Sequence, residues 1–491
     1  MQNLTRLIKK FNKLWIKSQA PTQRLTNVKI IDRFFILLIC VVISMITSYE
    51  VVTKPIQNFN FVILVIINFF EIFICCGVLL YISKKEDPTT NSRQTFLLIG
   101  LLLIVQILKI NLKTISPLSL IVPPTLIISQ GMGTITALSW VSISLINWPN
   151  STNGMNEYLL LITFVSSCIV AILGGKIRSR AQLLQLSILV PLGAFIGQYF
   201  LLGIENNDLY NLNLQNLISK EGNIISDSFL LATIMLLAII FMPIIESIFG
   251  LITKARLLEL ADQEKPLLRR LSIEAPGTFE HTLLLCGLAE EATRMIGGNV
   301  DLVKTGALYH DIGKLHAPSW FIENQNGRDN PHDELDNPLE SAKILQDHVD
   351  KGIKIARKYR LPKPVAKFIP EHQGTLKMGY FLFKAKNKDK NISENNFKYK
   401  GPIPQSKETA ILMLADGCEA ALRAMDINAS DKEALKIISK IIKSRLLDGQ
   451  LLDSNFSRGE IYLIKISFLN VWKRVRHRRI QYPTEKNNSF S

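Results

Sequence analysis

Cysteine is scarce in this 491-residue chain, and its six copies form no CxxC pair. Cys40, Cys75, Cys76 and Cys168 lie in apolar runs and read as small hydrophobes, while Cys286 and Cys418 stand alone. A disulfide framework is therefore excluded, and a reducing compartment is expected for any soluble part. No convincing run of alternating apolar and polar residues marks strands after residue 250, and no internal repeat of the transporter kind is visible. Acidic residues are nearly missing from the first 33 positions, where Asp32 stands alone against eight Lys and Arg. What the chain has in plenty is apolar residues: 48% are hydrophobic against 20% charged, and the mean hydropathy is +0.21. That balance excludes a disordered or collagen-like chain and predicts a hybrid, part membrane-embedded and part soluble. The net charge of +16 fits either nucleic-acid binding or a cytoplasm-facing membrane surface, and its distribution decides.

The basic leader, 1–33, carries Leu4, Leu7, Ile8, Phe11, Leu14 and Trp15 at helical spacing, with Lys9, Lys10, Lys13 and Lys17 between them. This is the pattern of an amphipathic helix on an anionic membrane surface, and the apolar run starts too late for a secretory signal. Residues 34–250 are mostly apolar, with runs at 34–52, 61–82, 95–112, 115–130, 132–148, 158–174, 183–202 and 227–250. The stretch 115–148 reads either as one long kinked helix or as two short spans around Gln130, Gly131 and Gly133. Charge parity arbitrates. The leader, Lys84/Lys85/Arg93, Lys176/Arg178/Arg180 and Lys254/Arg256 all belong on the cytoplasmic side. An even number of spans must separate them, so 115–148 is split and about eight spans are expected, with both termini inside. Lys109 and Lys113 are the exceptions. Glu71 and Glu246, within or at the ends of spans, are functional candidates by default.

The segment 251–483 is charged, and its apolar residues recur at helical spacing, as in Leu283, Leu284, Leu288 and Ala292 or Ile411, Leu412, Ala415 and Leu422. The expected fold class is all-α: a multi-span transmembrane region followed by an all-α soluble domain, interrupted by polar loops at 324–337 and 387–406 and ending in a frayed tail at 484–491. Six of the seven histidines fall between 281 and 372. The central feature is His310-Asp311, followed by Ile312-Gly313-Lys314. An imidazole and a carboxylate side by side suit a divalent metal of the Mn, Fe or Zn type, and the two oxygens of Asp311 allow it to bridge two ions. Gly313 is expected to let the backbone turn as the helix ends, leaving Lys314 as a point charge for a phosphate. His281 precedes on one helix, and His348, His372 and Asp416 follow on others. Ligands converging from several helices build a two-metal centre, which activates a water and clamps the oxygens of an in-line displacement at phosphorus.

The ordered set His281, His310-Asp311, His348, His372 and Asp416, with HDIGK at its centre, resembles the membrane-bound HD-domain phosphohydrolases of the PgpH type (7TM-HD), which hydrolyse cyclic di-AMP to pApA. Long stretches carry the resemblance, among them RLLELADQEKPLLRRLSIEAPGTFEHTLLL, SAKILQDHVDKGIKIARKYRLP, EHQGT, GPIPQSKETAILMLADGCEAA, DGQL and the closing RRIQYP. It implies an HD-domain fold, with His281, His310 and Asp416 on one ion, His348 and His372 on the other, and Asp311 bridging. It further implies two divalent ions, Mn or Fe, a bridging hydroxide as nucleophile, and Lys314 stabilising charge on the phosphate. The chain departs from the pattern at three places. Gln373 stands where a second histidine is frequent, and would be a weaker metal ligand. His316-Ala317 stands where a basic pair is frequent. Only about Val52–Asn60 joins the first two spans, where the family usually carries a large extracytoplasmic domain.

His332 reads as a loop-closing residue and His316 as peripheral to the site. The basic run Lys473, Arg474, Arg476, Arg478 and Arg479 reads as a solvated or membrane-facing helix face, so no nucleic-acid polymer is expected as a partner. The partners expected are a cyclic dinucleotide substrate and the lipid bilayer, with a homodimer left open. The alternatives are another nucleotide substrate, cyclic di-GMP or a guanosine polyphosphate, or a nucleotide-binding receptor of weak activity. An Ile-, Asn- and Lys-rich composition points to an AT-rich genome, hence a bacterial inner membrane or a plastid membrane, with the HD domain on the cytoplasmic or stromal side.

Overall fold

The computed structural model describes residues 30–52, 61–86, 91–112, 115–148, 157–205, 224–325, 327, 329–426 and 429–476. The leader before residue 30, the joining segments 53–60, 149–156 and 206–223, Lys113, His477, Arg478, Arg479 and the tail lie outside the described residues. The chain divides into two compact units that meet in sequence at Arg256 and Leu257. This is six residues later than the change in composition, because Leu251 is buried in the first unit's apolar core and Thr253 and Lys254 are tied to its helix ends.

Among its described residues the first unit holds eight apolar helices: α1 (Ile30–Val52), α2 (Phe61–Glu86), α3 (Ser92–Asn111), α4 (Pro117–Met132), α5 (Thr134–Ile146), α6 (Glu157–Gly174), α7 (Arg180–Glu205) and α8 (Ile224–Phe249). Four of these, α2, α3, α7 and α8, are long and apolar enough to cross a membrane. The stretch 115–148 is broken at Gly133, whose φ of +102° lies where a side chain is strained. Glu86 stabilises the new start: its carboxylate accepts from Ile135 N at 3.1 Å and Thr136 N at 2.6 Å, placing an acid at the positive end of α5. Leu98, Ile121, Ile128, Trp140 and Val141 are buried between the helices, whereas Phe34, Ile74, Ile188 and Phe229 are each more than 60% exposed. So much apolar surface is stable only against lipid.

Of the expected cationic clusters, Arg93, Arg180 and Lys254 gather at one end of this unit. Arg93 donates to Ile248 O at 3.4 Å and Gln94 to Gly250 O at 3.2 Å, tying the start of α3 to the end of α8. Arg180, opening α7, pairs at 3.4 Å with the buried Glu246, which also accepts from Thr253 Oγ1 at 2.5 Å. Lys254 Nζ donates to Gly175 O at 2.8 Å, just past α6. Lys109, the exception, sits at the far end of α3 with its ammonium 5.2 Å from the Trp148 ring centroid. Glu71 is exposed on α2.

The second unit is all helical, with one isolated bridge, Lys377 to Lys398, and no strand among the described residues. It is entered through α9 (Lys254–Leu260) and α10 (Pro266–Glu274). The elements that build the site are α11 (Pro276–Met295), α12 (Val300–Tyr309), the 3-10 turns Ile312–His316 and Ile322–Asn324, α13 (Pro331–Leu335), α14 (Pro338–Lys358), α15 (Lys363–Ala366), α16 (Phe368–Glu371), α17 (Gly379–Lys388), α18 (Lys407–Arg423), α19 (Asp431–Leu447) and α20 (Arg458–Arg476). Asn299, Asn337, Ser406 and Ser430 start α12, α14, α18 and α19 by accepting hydrogen bonds from first-turn backbone N–H groups. On α11 the buried stripe is Thr278, His281, Thr282, Leu285, Leu288, Ala289 and Ala292. Leu283 and Leu284, part of the same apolar spacing, are exposed, because His281 and the two threonines occupy the inner face. In the closing basic run, Lys473 pairs with Asp431 at 2.5 Å and Arg474 with Glu291 at 3.6 Å.

α12 is anchored on α9: Thr305 Oγ1 donates to Leu257 O at 3.1 Å and the buried Tyr309 hydroxyl to Leu260 O at 2.8 Å. Tyr309→Phe leaves one buried carbonyl unsatisfied and is expected to cost about 1–2 kcal/mol. A thermal melt of the purified protein in detergent should show the midpoint falling by a few degrees.

Candidate metal centre

His310 closes α12 and Asp311 starts the 3-10 turn Ile312–His316. Gly313 is needed for a reason other than the expected one. Its φ is not among the left-handed ones; a Cβ there would lie 1.7 Å from His348 O and 2.7 Å from Gly352 N. The missing side chain lets the HD turn sit directly on the backbone of α14, which brings His348 to Asp311. α16 delivers His372 just after Glu371, and the buried Glu371 carboxylate accepts from Gln405 N at 2.9 Å and Thr409 Oγ1 at 2.7 Å, pinning that turn to the start of α18. α18 then carries Asp416, and α11 carries His281.

These elements bring together all six expected ligands. His310 Nε2 is 3.1 Å from Asp311 Oδ2, while His348 Nε2 and His372 Nε2 are each 3.5 Å from Asp311 Oδ1. The two oxygens of one carboxylate thus face two groups of imidazoles. On the other side of His310, His281 Nε2 is 3.1 Å from Asp416 Oδ1. Ligand atoms of His281, His310 and Asp416 lie within 4.8 Å of one another, as do those of His310, Asp311 and His372.

Each ring is oriented through its other nitrogen. His310 Nδ1 donates to Ala307 O at 2.7 Å, His372 Nδ1 to Ile369 O at 2.7 Å, and His348 Nδ1 to Leu345 O. These bonds fix the tautomer and turn every Nε2 lone pair inward. Burial lowers the His348 pKa to about 3, so its imidazole stays neutral. Burial works against ionisation of Asp311 too, but His310 and Lys314 beside it hold its pKa well below the usual carboxylate range. His281, buried between Asp416 and Glu419, is instead raised to about 10, so ion binding there must displace the Nε2 proton. His310 Nε2 and Asp311 Oδ1 are buried with no hydrogen-bond partner. Two inward-facing, unsatisfied donor atoms among imidazoles and carboxylates are what a divalent ion completes.

Lys314 lies at the cluster with its ammonium 2.8 Å from Asp311 Oδ2 and 2.6 Å from Glu323 Oε1. Gln373 follows His372 and is half-buried, and among the described residues no hydrogen bond joins its side chain to the six. His316 donates to Gly313 O at 2.7 Å, and His332 to Trp320 O at 3.0 Å, closing the loop. Sequence reasoning missed Glu323 and Glu419, whose carboxylates contact Lys314 and His281. For Glu419 a signal exists: it lies three residues after Asp416 and so shares its helix face.

An all-α domain that gathers four imidazoles and two carboxylates in this order, following a helical membrane region in the sequence, has the architecture of a membrane-bound HD-domain protein, with side chains that could hold metal ions. Two family models match in that order: "7TM receptor with intracellular HD hydrolase" over residues 61–253 and "HD domain" over 278–421. The chain thus carries both modules of the membrane-bound HD-domain proteins, in their order, and is homologous to the PgpH proteins. The Listeria monocytogenes protein called cyclic-di-AMP phosphodiesterase PgpH is 32% identical over 431 residues, 85% of this chain and 58% of the relative. The Bacillus subtilis protein of that name is 35% identical over 331 residues, 67% of this chain and 45% of the relative. An uncharacterized protein of Synechocystis is 48% identical over 246 residues, 49% of this chain and 30% of the relative. The chain thus spans between 30% and 58% of the length of these curated relatives.

Two outcomes follow from the geometry. Gly313→Ala forces the turn off α14 and is expected to cost at least about 1–3 kcal/mol by overpacking, with divalent-ion binding weakened in parallel in a calorimetric titration. Acid should also destabilise the chelator-treated protein. Unfolded His348 takes up a proton below its ordinary value of 6.5 but the folded one only near 3, so stability falls as pH drops through that window. The contribution of His281 has the opposite sign and is already complete below about pH 6. Melting midpoints between pH 6 and 4 should fall, and less steeply in His348→Asn.

Proposed function

We propose that this chain is a metal-dependent phosphodiesterase that opens a cyclic dinucleotide, cyclic di-AMP, to linear pApA. The observation that carries the reading is the Asp311 carboxylate, with one oxygen toward His310 and the other toward His348 and His372. Six residues would hold two ions: His281, His310 and Asp416 one, His348 and His372 the other, with Asp311 serving both. Divalent ions, Mn or Fe, when bound supply Lewis acidity at the phosphate and acidify a water. The choice of cyclic di-AMP is supported by the name of the Listeria and Bacillus relatives.

The chain's own residues do the positioning. The Nδ1 hydrogen bonds hold the rings, and the buried walls exclude bulk water. Lys314, with its pKa raised above the ordinary lysine value despite burial because Asp311 and Glu323 pair with it, keeps its proton and offers a fixed positive charge to a phosphate oxygen. Water adds to one phosphorus, its bond to the 3′ oxygen breaks, and the product carries a 5′ phosphate and a free 3′ hydroxyl.

About eight spans carry this domain, which lies on the cytoplasmic or stromal side of a bacterial inner or plastid membrane. The gathering of Arg93, Arg180 and Lys254 at one end of the helical unit supports that orientation.

The test is turnover by the full-length protein in detergent with Mn²⁺, following pApA by chromatography. Activity should vanish with a chelator, return with Mn²⁺, and fall by more than about a hundredfold in Asp311→Ala, beyond what loss of an outer partner costs. Ions bound with cyclic di-AMP untouched would overturn the substrate. Turnover of cyclic di-GMP would replace it, and binding of either nucleotide without hydrolysis would make the protein a receptor.

A further inference from the structure

The four histidines are not oriented alike. His310, His348 and His372 each give their Nδ1 proton to a main-chain carbonyl three residues back in their own helical turn: Ala307, Leu345 and Ile369. His281 gives its Nδ1 proton to a carboxylate, Glu419 Oε2, at 2.6 Å across 138 residues of sequence. Glu419 is buried, and Arg423 one turn later grips its other oxygen, with Nε at 2.8 Å and Nη2 at 2.6 Å from Oε1. Asp416 and Glu419, on one face of α18, thus address the two nitrogens of the same ring.

An ionised acceptor makes a shorter and stronger hydrogen bond than a neutral carbonyl. It pushes electron density through the imidazole to the opposite nitrogen, raising its strength as a ligand. The group formed by His281, His310 and Asp416 has this support, and the side of Asp311 that faces His348 and His372 has only neutral carbonyls behind its rings. We propose that Glu419, clamped by Arg423, is a positioning residue that makes the two ion positions unequal, the one at His281, His310 and Asp416 being the tighter. The inference rests on the reading that the six residues hold two ions.

The experiment is a calorimetric titration of Mn²⁺ into the full-length, chelator-stripped protein in detergent, with His281→Ala and His348→Ala to assign the steps. The wild type should take up two ions in two steps, the tighter one lost in His281→Ala and the weaker one in His348→Ala. Glu419→Ala should weaken the tighter step by 10- to 100-fold and leave the weaker one within twofold. Glu419→Gln, which keeps a hydrogen-bond acceptor but not its charge, should lose less than Glu419→Ala, a partial rescue that simple loss of packing would not produce. An unchanged weaker step reports an intact fold. If Glu419→Ala does not fold, the nearly isosteric Glu419→Gln carries the test. A tighter step within twofold of wild type in the folded variants, or both steps weakened equally, would overturn the inference. A wild type that binds fewer than two ions would instead overturn the two-ion reading on which it stands.

Discussion

The soluble unit is organised around the cost of burying one carboxylate. Asp311 is 2% exposed, and an ionised carboxyl out of water is tolerated only when charge and hydrogen bonds surround it. Part of this is local, with His310 from the end of α12 and the Lys314 ammonium from the turn that follows, and part comes from distant elements, His348 from α14 and His372 from behind α16. Even with these partners one oxygen stays unsatisfied. The helices converge because each supplies part of that compensation, and what is left uncompensated is what a divalent ion would satisfy.

Convergence of this kind needs backbones to touch. Gly313 and Gly352 let the HD turn rest on α14 with no side chain between, and Gly277 does the same where a Cβ would meet Glu323 O at 1.8 Å, setting Glu323 beside Lys314. The glycines therefore act as contact points, and ligand geometry is inherited from backbone packing. Lys314 is held between two acids, so its charge sits at one place at the rim of the centre.

The membrane unit answers to a different rule. Its outer faces are apolar against lipid, so polar groups collect at helix ends, where Arg180 and Glu246 pair, Lys254 meets the carbonyl of Gly175, and Glu86 caps α5. Hydropathy left 115–148 open between one kinked helix and two; charge parity asks for two, and the helices break at Gly133. The alternatives of one kinked helix or two were distinguishable only through charge.

The sequence alone determined the all-α class, the apolar and charged halves, and the ordered ligand set from His281 to Asp416. Composition, periodicity and side-chain chemistry are local properties and can be read locally. Tertiary structure decided which leucines of α11 face water, why Gly313 is glycine, where the units divide, and that Glu419 stands behind His281 while neutral carbonyls stand behind the other three rings. Those facts depend on which surfaces meet across long stretches of chain. The three-residue spacing puts Glu419 on the helix face of Asp416, but that His281 meets it across 138 residues is fixed by close packing and not by sequence distance.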